Sequence, residues 1–334
     1  MDYLLVCLQY FLQIFGYSSG YLLVAFITFY ILRIKDSKVK IFILLLGLIK
    51  PFFILVRLID FNSDNIYNHY SYFYIINNQI SRFMNYQNAQ DINFSLINKL
   101  VFSFYAIAII IITLFRFYQT YVHFHKLKNS GYAVESTDKE INNIVLYYSK
   151  LMGIKTPKIY FTSDIKNSFY TFGFIKKKII VNKQMLYFLT KDEKETVLLH
   201  ELSHVKRHDN ILNAMLTYLT DVHFYNPFTY IAYALIKNEQ EKDCDKLVIQ
   251  YSQKSGKEIA VNILNSILKI KRNLFNIKNY CPNLASPFSA GKSMEEKTMR
   301  KRIKALIDTD PLKISVNIFT KIALYGFFLG LLFF

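Results

Sequence analysis

Residues 190–208 read TKDEKETVLLHELSHVKRH, and the fold turns on whether this stretch is one helix. Thr190 followed three residues later by Glu193 is a capping box, in which each side chain satisfies the other's backbone amide. The spacing therefore predicts a helix that starts here and carries Val197 to His208. His200 and His204 then share one helix face and can bind one metal ion together. Glu201 lies beside them, placed to take a proton from a metal-activated water. A bare H-E-x-x-H string also arises by chance on charged helices, so it needs support from elsewhere in the chain.

That support comes downstream. Ile211 to Ile236 is apolar but interrupted by Asp221, His223 and Asn226-Pro227. Asn226 as cap and Pro227 at the first helical position restart a helix that would carry Glu239, Glu241, Cys244 and Asp245. A catalytic zinc takes three protein ligands and keeps a position for water. Glu241 is the candidate third ligand, because Asp245 shares its face and can accept a hydrogen bond from a ligand imidazole. Glu239 is the rival and lacks such a partner. A membrane crossing at 211–236 would put His204 and Glu241 on opposite sides of a layer about 30 Å thick. A shared metal therefore requires a helical hairpin instead. His208, His223 and Tyr225 are candidates for stabilising a transition-state oxyanion, and the sequence does not choose among them.

Upstream, Ile141, Ile144, Val145 and Tyr148 at helical spacing predict a helix near Asp138 to Met152. The β-rich runs Lys158 to Thr162, Ser168 to Phe174 and Lys178 to Val181 predict a small sheet. Phe169, Tyr170, Thr171 and Phe172 form a candidate edge strand, able to align a polypeptide substrate by strand addition; an ordinary sheet strand is an equally good reading.

The chain has 334 residues, 52% hydrophobic and 17% aromatic, with no Trp and a net charge of +17. No nucleic-acid module accompanies that charge, so nucleic acid is not an expected partner. Four runs reach about the 20 residues that a bilayer demands: within Tyr3 to Leu32, Ile41 to Ile59, Leu100 to Tyr118 and Ile314 to Phe334. The first lacks a leading basic region and a small-residue cleavage site, which predicts an anchor and not a removable signal. Arg33, Lys35, Lys38 and Lys40 follow the first run, and Arg116, Lys126 and Lys128 follow the third. The stretch from Asp60 to Lys99 carries only Arg82 and Lys99 as cations. The positive-inside rule then places both termini outside and residues 119–312 in the cytoplasm.

The expected class is an α-helical multi-pass membrane protein with a cytoplasmic α+β zinc peptidase domain. Residues 1–118 would hold three spans and an extracytoplasmic loop at about 60–98. The peptidase would occupy 119–312 and a fourth span 313–334, with the lipid bilayer as a partner. Lys50, Arg57 and Lys321 lie in or near the runs and read first as snorkelling cations. Cys7, Cys244 and Cys281 form no disulfide framework, which suits a reducing compartment. The basic stretch Lys292 to Lys304 reads first as a solvated or headgroup-binding helix, and second as a self-processing site.

HELSHVKRHD at 200–209, FYNP at 224–227 and EKDCD at 241–245 together resemble the zinc-peptidase core of the BlaR/MecR type. Those are bacterial membrane receptors that transduce β-lactam signals by proteolysis, and the resemblance covers nearly the whole chain. It implies a gluzincin-like domain at the bacterial cytoplasmic membrane and one Zn²⁺ per chain on His200, His204 and Glu241. Glu201 would be the general base and Asp245 would support a ligand. Regulatory proteolysis would act on a transcriptional repressor, a membrane protein or the chain itself, with a separate sensor protein as a further partner. Receptors of this type continue past the last span into an extracellular penicillin-binding sensor, whereas this sequence stops at Phe334. Direct β-lactam sensing is therefore not carried over, and the stretch from Asp60 to Lys99 is the remaining outward candidate for sensing. Two alternatives stand beside this. An HtpX-like quality-control protease would place its third ligand before a small-residue A-D pattern, where this chain has Cys244-Asp245. A non-catalytic membrane relay with a structural zinc would have no need of Glu201.

Overall fold

The computed structural model describes residues 3–59, 94–128, 133–162, 169–280, 299–307 and 317–333. In chain order these form α1 (Tyr3–Ile31), α2 (Ser37–Ile59), α3 (Phe94–Lys128), β1 (Ala133–Glu135), α4 (Lys139–Met152), β2 (Lys158–Thr162), β3 (Phe169–Phe172), β4 (Lys178–Asn182), α5 (Lys183–Tyr187), α6 (Lys191–Arg207), α7 (Asp209–Val222), α8 (Pro227–Ser252), α9 (Gly256–Tyr280), α10 (residues 299–307) and α11 (Ile318–Phe333). Most of 60–99, and residues 163–168 and 292–298, lie outside the described residues. So do the proposed sensing stretch up to residue 93 and the start of the basic run.

Local chemistry accounts for the central elements. Asp138 caps α4 by accepting from the amides of Glu140 and Ile141, and Gly153 in the left-handed conformation closes it. The helix buries Ile141, Val145, Tyr148 and Met152, a stripe at helical spacing. α6 opens with the capping box between Thr190 and Glu193. Its Leu198, Leu199 and Leu202 are fully buried, each contributing about 1.5–3 kcal/mol of apolar burial. They join Ile159, Ile179 and Val181 of the sheet and Ile259 and Ile263 of α9 in one core. The sheet order is β1-β2-β4-β3, with β2 and β4 parallel and the outer pairs antiparallel. β3 is thus the last strand of the described sheet, pairing with β4 in the register Phe169 to Val181 and Thr171 to Ile179.

Two turns shape the region after α6. His208 adopts φ 59°, the left-handed conformation, and ends the helix with its N–H on Val205 O. α7 then begins at once with Asp209. Asn226 caps α8 through the amide of Phe228, and Pro227 takes the first turn. The apolar stretch 211–236 is therefore a hairpin of α7 and α8.

Among the described residues, no helix is long and apolar enough to cross a membrane. This overturns the expected multi-pass class and leaves the orientation drawn from charge asymmetry with no spans to orient. An apolar run by itself does not separate a span from a helix buried in protein. Here Tyr21, Leu22 and Ala25 of α1, Ile43, Leu44 and Leu48 of α2, and Leu324 and Phe328 of α11 pack with Leu216, Leu219, Ala232 and Ile236 of α7 and α8. α11 has 16 residues, about 24 Å of helix and short of a hydrocarbon layer of about 30 Å. α2 carries Lys38, Lys40, Lys50 and Arg57 and has Pro51 inside it. Lys50 does not snorkel. It is buried, donates to Leu331 O at 2.6 Å and lies over the rings of Tyr17 and Tyr21. Lys321 pairs with Asp36 at 2.7 Å.

Candidate metal centre

α6 and α8 cross with their polar faces inward, and the crossing brings together residues 41 positions apart. One ligand atom from each of His200, His204 and Glu241 falls within 4.8 Å of the others. The two imidazoles stand 5.0 Å apart between centroids and nearly perpendicular. Glu241 reaches both, with Oε2 3.3 Å from His200 Nε2 and Oε1 3.7 Å from His204 Nε2. Two imidazoles and one carboxylate, partly buried and converging, suit a zinc ion that keeps an open position. The donor set fits that ion.

Each ring is held from behind. His200 Nδ1 lies 3.3 Å from Asp245 Oδ1, within ion-pair range but out of line for a formed hydrogen bond. His204 Nδ1 meets Asp209 Oδ2 at 2.7 Å. Both Nε2 atoms face a metal only if the Nδ1 atoms carry the protons, and that tautomer is the one these carboxylates favour. Asp209 also accepts from Arg207 Nε, and Arg207 Nη1 donates to Asp243 at 2.6 Å. Arg302, from α10, clamps Asp245 through two nitrogens and reaches Glu241 Oε2 at 2.7 Å.

The electrostatics follow from this packing. Burial opposes the charges of His200, Glu241, Asp245 and Asp209, yet their partners outweigh it. Without a metal, burial pushes His200 down, but Asp245 and Glu241 carry it up to about 10. Against burial, Glu241 and Asp245 are held below the usual carboxylate range, the first chiefly by His200 and the second chiefly by Arg302. His204 and Arg207 do the same for Asp209. The carboxylates around His200 therefore favour positive charge at this place. Burial lowers Lys237, one turn before Glu241, and burial and Asp209 raise the Cys244 thiol. His204, Asp209 and Cys244 also cluster within 4.8 Å. A thiol held protonated is a poor ligand, and Asp209 is already engaged, so this group supports His204.

Glu201 is buried on the turn between the two histidines. Its Oε2 lies 3.0 Å from Thr171 Oγ1 on the edge strand β3, and the same hydroxyl is 3.2 Å from Glu201 O. Gly173, at φ 96°, turns the chain after β3, and Asn210 donates to its carbonyl at 3.0 Å. The strand Phe169–Phe172 is thereby fixed alongside Glu201.

The other residues named from the sequence fall elsewhere. Glu239 points away from the cluster and binds Ser37 and Lys40 of α2 at 2.8 and 3.1 Å. His208 is an exposed helix cap. His223 is buried against α2, with Nε2 3.2 Å from Leu48 O, and its ring stacks edge-on with Tyr225. Arg302 is buried and paired, so that part of the basic run is not a solvated face. The sequence reading missed Asp209, Arg207 and Arg302. Asp209 had a signal, since an acid opening the helix after His204 is well placed to meet it. Arg302 had none.

An H-E-x-x-H helix crossed by a glutamate-bearing helix, beside an edge strand, defines the class of metal-dependent hydrolases. The chain belongs to the BlaR1 peptidase M56 family, whose model matches residues 17–302. It is 35% identical over 92 residues to the methicillin resistance mecR1 protein of Staphylococcus aureus, covering 28% of this chain and 16% of that one. It is 32% identical over 151 residues to the regulatory protein BlaR1 of Bacillus licheniformis, covering 39% and 25%. To the regulatory protein BlaR1 of S. aureus it is 24% identical over 225 residues, covering 67% and 36%. The chain thus spans between about a sixth and a third of the length of these relatives.

Proposed function

We propose that this chain is a zinc-dependent endopeptidase in regulatory proteolysis. The observation that carries the reading is the convergence of His200, His204 and Glu241 donor atoms within 4.8 Å, with Glu201 beside them and against the edge strand. His200, His204 and Glu241 hold one zinc, and Asp245 steadies His200. When bound, zinc supplies Lewis-acid polarisation of the scissile carbonyl and of the attacking water. Glu201 removes the proton from that water and passes it to the leaving amine. Thr171 holds Glu201 Oε2 in place. A substrate polypeptide lies along β3, the last strand of the sheet, at Phe169–Phe172, and its backbone runs there in extended form. A transcriptional repressor is the first substrate class to test, because two of the relatives bear the name regulatory protein; a membrane protein and the chain itself follow.

The test compares new protein N-termini in cells expressing the wild type and Glu201→Ala. Termini that appear only with the wild type, while both proteins bind zinc equally, are the expected result. Identical profiles during normal growth and under envelope stress would refute the catalytic reading and leave a relay.

A further inference from the structure

We infer that Arg302 is a positioning residue of the metal centre: α10 docks against the peptidase core to deliver a guanidinium that fixes Glu241 and Asp245 together. The inference rests on the metal reading above, and not on peptide cleavage.

The argument begins with the helix. Met299, Ile303 and Leu306 recur at helical spacing and pack on the core that contains α6 and α9. Leu306 is buried, and its carbonyl passes so close to Gly256 that a Cβ there would stand 2.4 Å from it. Only a residue without a side chain lets α10 approach the start of α9 so tightly. This docking carries Arg302 into the interior, where it is 8% exposed.

Arg302 there makes three short contacts, one from each of its nitrogens. Nε and Nη2 hold the two oxygens of Asp245 at 2.9 and 2.7 Å, and Nη1 holds Glu241 Oε2 at 2.7 Å. A planar guanidinium suits this, and a lysine cannot reproduce it. His200 faces the same two carboxylates from the opposite side. Asp245, Glu241, His200 and Arg302 thus close a ring. With Oε2 engaged by Arg302, Glu241 presents Oε1, which lies 3.7 Å from His204 Nε2. The charge balance agrees. Two adjacent carboxylates repel, and one guanidinium leaves a net charge of one negative against a dication and two neutral imidazoles. The position of a helix about 60 residues downstream thereby sets the rotamer of the third donor.

The experiment uses the full chain as wild type, Arg302→Gln and Arg302→Lys. It measures zinc affinity by chelator competition, the visible spectrum with Co²⁺ in place of zinc, and unfolding of the metal-free protein. Arg302→Gln should weaken zinc binding about 10- to 100-fold, the range for loss of an outer partner of a ligand, and should alter the cobalt bands. Arg302→Lys, which keeps the charge without the fork, should fall between. An affinity within about threefold of wild type with an unchanged cobalt spectrum, in whichever variant folds, overturns the inference even if stability drops. A wild type that takes up no stoichiometric zinc overturns the metal reading itself.

Discussion

Replacing Asp209 with Ala should cost the protein its metal before it costs the fold. Asp209 is 1% exposed, opens α7 and accepts from His204 Nδ1 at 2.7 Å. Its second partner, Arg207, keeps Asp243 at 2.6 Å when Asp209 is removed, so that cation is not stranded. His204 is the group left without its support. Cys244 Sγ, 3.3 Å from the same nitrogen, is too weak an acceptor to replace a carboxylate. A hydrogen bond to a charged group is worth about 1.5–3 kcal/mol. Expressed wholly in the free energy of metal binding, that is a loss of about 10- to 150-fold in zinc affinity. Asp209→Asn keeps the shape and one acceptor oxygen, and should fall in the lower part of that range. The assay is equilibrium competition for zinc against a chromophoric chelator at neutral pH, with circular dichroism as the check on folding. A folded Asp209→Ala protein that binds zinc within about threefold of wild type would refute the claim that this carboxylate orients the ligand.

Two further outcomes follow from the geometry. Glu239→Ala should leave zinc affinity unchanged, because Glu239 is turned to Ser37 and Lys40, and should lower stability to chemical denaturation by about 1–3 kcal/mol. Loss of zinc in that variant would make Glu239 a ligand and undo the choice of Glu241. Thr171→Val removes the hydroxyl that meets Glu201 Oε2 at 3.0 Å; on the substrate found by N-terminal profiling, kcat should fall about 2- to 10-fold, as for one lost hydrogen bond, with zinc content intact. An unchanged kcat would show that the contact does not position the base.

Membership of the M56 family, shown by a model matching residues 17–302, agrees with the resemblance drawn from three short motifs. Those motifs were readable because their chemistry is local. Thr190 and Glu193 cap a helix three residues apart, His200 and His204 are neighbours across one turn, and Asn226-Pro227 restarts the chain. The candidate strands were legible within a residue or two for the same reason, since alternation and β-branched residues act over a few positions. The apolar runs misled because hydrophobicity does not say what covers a helix: parts of α1, α2 and α11 pack in a protein core, whereas Ile110, Ile111, Leu114 and Phe117 of α3 are exposed. Tyr21, Leu44 and Phe328 are covered by protein here, in a cluster shared with α7 and α8.

The sequence by itself singled out the candidates for the chemistry: the pair of histidines, the acid between them and a glutamate on a later helix. The sequence favoured Glu241 over Glu239 through Asp245 on the same face. The tertiary structure brings Glu241 to the histidines, because the two glutamates lie about 160° apart around α8 and the crossing of α6 and α8 selects a face. It alone decided that Asp209 sits behind His204, that Thr171 reaches Glu201, and that Arg302 closes the ring with Asp245 and Glu241. These contacts join residues remote along the chain, and no local preference encodes them. They exist because the buried faces of α4, α6, α9 and α10 pack into one shared core.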